Sequence, residues 1–103
     1  MKRRTPGTRA AMSHLVLLAA EYLEHPSMVV LAGSDPPKHV ARALYLADRR
    51  LSAPGPVKGR REVSNDLQVA ADYLSHRDVS ALPFAVNSSN VARALREVIR
   101  DLK

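Results

Sequence analysis

His25 and His76 stand 51 residues apart, and so do Arg42 and Arg93; these pairs are the first places to look for chemistry. Each histidine closes an apolar helical stretch, where a cation or hydrogen-bond donor suits the terminal carbonyls, so both read as caps rather than catalysts. His14 and His39 have no carboxylate or second histidine at ligand spacing, and no metal site is expected. The ten acids (Glu21, Glu24, Asp35, Asp48, Glu62, Asp66, Asp72, Asp78, Glu97 and Asp101) mostly fall on polar helix faces. Among them there is no paired acid–base set, and the chain carries no glycine-rich phosphate loop or nucleophile elbow. The sequence reads as a non-enzyme needing no cofactor.

What remains able to recognise something is the cations and the small polar residues at helix starts. The net charge is +6. Residues 1–9 hold Lys2, Arg3, Arg4 and Arg9, and residues 58–61 hold Lys58, Arg60 and Arg61; the remainder sums to about −1. Excess charge is thus expected in a tail and a linker beside a near-neutral body, an arrangement suited to phosphate contacts or simply to solubility.

The histidine and arginine pairs belong to a longer register. Residues 60–103 match residues 9–52 without a gap, with 15 identities in 44 pairs. They include Ala19/Ala70, Ala20/Ala71, Tyr22/Tyr73, Leu23/Leu74 and Leu31/Leu82, and Val40-Ala41-Arg42-Ala43-Leu44 against Val91-Ala92-Arg93-Ala94-Leu95. Roughly a quarter as many would be expected from composition alone, so a duplicated unit is the economical explanation. The organisation expected is a basic tail (1–8), a first repeat (9–52), a linker (53–59) and a second repeat (60–103). At 103 residues, each half is too small to bury a sufficient core alone, and the two should pack as a pseudo-dimer.

Each repeat reads as helix, short apolar segment, helix, giving an all-α fold. The first helix should run from Thr8 to Glu24, with Met12, Leu15, Val16, Ala19, Tyr22 and Leu23 at helical spacing; Leu17, Leu18 and Ala20 make it apolar almost all round. Its counterpart should run from Ser64, as N-cap, to Ser75. Asp35-Pro36-Pro37 announces a helix to about Leu51 with Asp35 as the cap, and Asn87 or Ser88 caps one to about Leu102. Ser52-Ala53-Pro54-Gly55-Pro56-Val57-Lys58-Gly59 should be an exposed linker. Residues 28–32 and 79–86 could be short helices or strands, with short helices favoured; as strands they could pair in a two-stranded ribbon that would itself suit DNA. Pro83 disfavours both a helix interior and a central strand.

Residues Ser80 to Leu95 resemble the helix-turn-helix motif of lac-repressor-type and other bacterial regulators. The small Ala81, the turn residues Ala85 and Val86, and the inward Val91 fall at its positions, and Val91-Ala92-Arg93-Ala94-Leu95 looks like the Val-x-Arg-x-Leu of recognition helices. Ala85 replaces the usual turn glycine. The resemblance implies that Ser88, Ser89, Asn90 and Arg93 face double-stranded DNA, Ser and Asn reading base edges and Arg reaching guanine or phosphate. In the first repeat Lys38, His39 and Arg42 take those places and suit phosphate contact. Arg3, Arg4, Lys58, Arg60 and Arg61 would add backbone contacts.

Two partner classes stay open: duplex DNA, for a transcriptional regulator, and a protein, for a helical adaptor or inhibitor. The absence of cysteine excludes disulfides and zinc–thiolate sites. No apolar run approaches the roughly 20 residues of a membrane span, and no convincing signal cleavage site follows Leu15 to Ala20, so a cytoplasmic protein is expected. Removing residues 1–8 deletes Lys2, Arg3 and Arg4. If the tail tracks phosphates, salt titration of DNA binding will show a slope shallower by up to about three ions, with the melting temperature unchanged; an unaltered slope would make the tail a solubiliser.

Overall fold

The computed structural model describes residues 9–102, and among them every regular element is helical. Helix α1 spans Arg9–Glu24, α2 Pro37–Ser52, α3 Arg60–Leu74, α4 Arg77–Ser80 and α5 Ser88–Leu102, with a 3₁₀ turn at Pro83–Ala85. The segment Thr8 and the tail before it lie outside the described residues. No described helix is long and apolar enough to cross a membrane.

Several helix starts differ from the sequence reading. Helix α2 begins at Pro37 with Pro36, not Asp35, as its cap. The two prolines set the required φ, and the Pro36 carbonyl accepts from the amides of His39 and Val40, so no side-chain cap forms. Helix α3 starts four residues before Ser64, behind Gly59 in the left-handed region (φ 66°). A side chain at Gly59 would collide with the Arg50 guanidinium, which lies over it and donates to the Lys58 carbonyl. Helix α5 opens on the carbonyl of Asn87, which accepts from Asn90 and Val91. Of the two ambiguous segments, residues 28–32 form neither helix nor strand, whereas 79–86 splits into the end of α4 and the 3₁₀ turn. Pro83 explains the split, because without an N–H it cannot extend α4 but fits the first position of a new turn. No strand exists among the described residues to make a ribbon.

The four long helices close into a ring. Helix α1 packs on α2, α2 on α3, α3 on α5, and α5 back on α1. Arg9, at the start of α1, donates to the carbonyl of Leu51 at the end of α2 (3.1 Å), while Glu24, at the end of α1, bonds Tyr45 (2.7 Å). The hairpin therefore runs antiparallel. Arg60 at the start of α3 meets the carbonyl of Leu102 at the end of α5 in the same way (3.3 Å), and the seven-residue linker joins α2 to α3 at that end.

Inside the ring, buried positions recur 51 residues apart: Val16 and Leu67, Ala19 and Ala70, Leu23 and Leu74, Val40 and Val91, Leu44 and Leu95, Leu51 and Leu102. The alanines at Ala19-Ala20 and Ala70-Ala71 are fully buried and let the helices approach closely. Leu15 and Leu18, on the wide apolar surface of α1, are only partly buried against the core.

The far end of the ring is closed by exchange between halves. The Tyr73 hydroxyl, on α3, donates to the Val29 carbonyl (2.6 Å) and accepts from the Leu31 amide (3.2 Å). Its counterpart by register, Tyr22 on α1, lies beside Phe84 of the 3₁₀ turn, and His25 stacks on the same ring at 3.6 Å between centroids. Residues 28–31, which lack secondary structure, thus have backbone groups answered by a buried side chain. Tyr73→Phe strands both, and urea unfolding will show a loss of about 1–3 kcal/mol; a loss below about 0.5 kcal/mol would mean that Tyr73 does not hold this segment.

Candidate nucleic-acid interface

Helix α2 turns Pro37, Val40, Ala41, Leu44, Ala47 and Leu51 inward. The opposite side carries Lys38, His39, Arg42, Tyr45, Leu46, Arg49 and Arg50, all exposed. Lys38, Arg42, Tyr45 and Arg49 follow one another at spacings of four, three and four, a single stripe about 16 Å long. This side of the helix holds four cations and no carboxylate. The one acid of α2, Asp48, is half-buried and accepts from Ser13 and Ser52.

Two shallow depressions lie along the stripe. Glu24, Lys38, Arg42 and Tyr45 line one of about 460 Å³. Arg49, Arg50, Ala53, Pro54, Pro56 and Lys58 line another of about 390 Å³. Lys58 thus extends the cationic side of α2 into the linker. Acids of neighbouring helices modulate this surface at its edges. The hydrogen bond to Glu24, then burial, then the charges of Glu24 and Glu21 raise the pKa of Tyr45, which keeps its proton. Burial raises that of Asp66, opposed by Arg50 and reinforced by Glu62.

The corresponding side of α5 shows Ser89, Asn90, Arg93, Arg96, Glu97, Arg100 and Asp101. Arg93, Arg96 and Arg100 form a stripe at the register of Arg42, Tyr45 and Arg49. Arg96 is engaged by Asp72 (3.1 Å) and Ser75 (3.2 Å), the one arginine–carboxylate pair within 4.0 Å among the described residues. Glu97 and Asp101 dilute the charge, so α2 carries the more cationic face.

Of the residues implied by the sequence, Lys38, His39 and Arg42 fall on the α2 face and Ser89, Asn90 and Arg93 on that of α5; all six are exposed. Lys58 and Arg61 are exposed near the linker, as is Arg60, although its guanidinium holds the Leu102 carbonyl. Arg3 and Arg4 lie outside the described residues. Ser88 does not face solvent: it is fully buried at the first position of α5, so it is not available to DNA. The register explains this, since Pro37 in the same place on α2 is buried too.

At the positions of the helix-turn-helix resemblance, Ala85 and Val91 are buried, whereas Ala81 and Val86 are exposed, Val86 at 63%. The helix before α5 has only four residues. His25 and His76 prove to be acceptors rather than donors: each Nδ1 takes the amide two residues on, Ser27 and Asp78, both at 3.0 Å, and so caps the turn that follows rather than the helix behind.

Sequence reasoning missed Arg49, Arg50, Arg96 and Arg100. A charge sum over the body does not reveal them, because it cancels cations on one helix face against acids on others. The signal was the spacing of seven from Arg42 to Arg49 and from Arg93 to Arg100. No family model, curated protein or solved structure matches the chain.

Among the described residues, the Ser88 Oγ finds no hydrogen-bond partner. Replacing it by alanine relieves a stranded hydroxyl, and Ser88→Ala is expected to raise stability in urea by up to about 1 kcal/mol. A loss of stability of that size would show that the hydroxyl is bonded in solution.

Proposed function

We propose that this chain is a small DNA-binding protein of the transcription-regulator kind, built by internal duplication at an offset of 51 and packed as a pseudo-dimer. The outward side of α2 is its principal contact with double-stranded DNA. The observation that carries this reading is the segregation of charge on α2: Lys38, Arg42, Arg49 and Arg50 share one exposed side to which α2 itself adds no carboxylate, with Glu24 of α1 at its edge. Such a stripe releases counterions from a duplex, whose charge density is about one phosphate per 1.7 Å of axis. Tyr45 and His39 add flat, polar-tipped groups between the cations. Helix α5 offers Ser89, Asn90 and Arg93, all exposed, to base edges or phosphates.

The duplication is supported by three coincidences of register. Helices α1 and α3, and α2 and α5, start 51 residues apart; so do the arginines that cap α2 and α5, and the histidines that cap the following turns. A protein-interaction reading draws on Leu46, 53% exposed within the same face, where an acidic partner with an apolar anchor would sit.

The double variant Arg42→Ala/Arg49→Ala separates the two. On a random duplex, fluorescence anisotropy at two salt concentrations is expected to show weaker binding and a salt slope shallower by about two ions, with stability within about 0.5 kcal/mol of wild type. A folded variant that binds DNA like wild type would overturn the DNA reading of α2.

A further inference from the structure

We infer that the protein bridges two duplex DNA segments, holding one on the outer face of α2 and the other on the outer face of α5. The inference rests on the DNA reading above and goes beyond it in the number and placement of the duplexes. In the ring α1–α2–α3–α5, helices α2 and α5 are not neighbours but stand across from one another. Each turns its apolar side toward the common core, with Leu44 and Leu95 fully buried. Their polar sides must therefore open in opposite directions. On one side stand Lys38, Arg42 and Arg49; on the other, the exposed Arg93 and Arg100, with Arg96 held by Asp72 and with Glu97 and Asp101 nearby.

A single duplex cannot serve both faces. The body measures 36 × 29 × 19 Å, and DNA has a persistence length of about 150 bp, so bending it half-way round such a core costs more than about six cationic contacts return. Two straight segments, one against each face, satisfy both stripes without bending. The matched register of the stripes supports this: Arg42 and Arg93, and Arg49 and Arg100, are exposed at equivalent positions on opposite sides, although only one set would serve a one-duplex binder.

The test uses an immobilised duplex and a free, labelled duplex of the same sequence. The full chain is added at concentrations that saturate a single duplex, as measured separately by anisotropy. Wild type is expected to retain the labelled DNA on the support. Arg42→Glu/Arg49→Glu and Arg93→Glu/Arg100→Glu, each verified as folded by circular dichroism, are expected to bind one duplex at saturation yet retain at least tenfold less label. Bridging through protein self-association gives the opposite result, because a one-faced variant would still pair and still retain label. Wild type that binds one duplex without retaining the second overturns the bridging inference alone; wild type that binds no duplex overturns the DNA reading with it.

Discussion

The inner sides of the four long helices meet in one shared core, and closing that core sets the architecture. Helix α1 is apolar around most of its circumference, and one partner helix cannot cover it; α2 takes one flank and α5 another. The irregular residues 28–31 have the same difficulty in polar form, since their backbone groups need partners that no helix or sheet supplies. Tyr73, from the other half, answers both at once: its ring is buried in the core and its hydroxyl bridges the Val29 carbonyl and the Leu31 amide. Phe84 against Tyr22 and His25 makes the return contact in apolar form.

Once the inner sides of the long helices are committed to this shared core, the outer sides are fixed as well. A helix with buried residues at 37, 40, 41, 44, 47 and 51 has no freedom to choose which way Lys38, Arg42 and Arg49 point. The cationic face of α2 is therefore rigid, carried on a sixteen-residue helix pinned at its start by two prolines and at its end by Arg9. In the function proposed above, such presentation favours contact with a polyanion, because long flexible cations lose conformational entropy on contact unless their backbone is already placed.

Much of this was legible in the sequence because it rests on period. The apolar spacing located α1, α2, α3 and α5. Starts were harder. Asp35 and Ser64 are good cap residues by type, but Pro36-Pro37 and the left-handed Gly59 set the real boundaries through backbone geometry. Ser88 was misplaced for a related reason: a small polar residue at a helix start is exposed in most settings, and only the closure of the ring buries this one. The face charge of α2 was visible in principle, yet it needs the helix phase before a sum of charges becomes a direction. The short α4 and the 3₁₀ turn were beyond reach, since Pro83 forbids a long element without saying which short one replaces it.

The positions of Arg9 and Arg60 carry a topological consequence. Both anchor the end of a second helix from the start of a first, and α5 packs on α1 as α2 packs on α3. The helix ring thus has two equivalent seams, only one of which is spanned by the linker. Which half comes first along the backbone is, for the folded body, almost arbitrary: a circularly permuted polypeptide opened at the linker and rejoined across the other seam would lay the same helices in the same cyclic order.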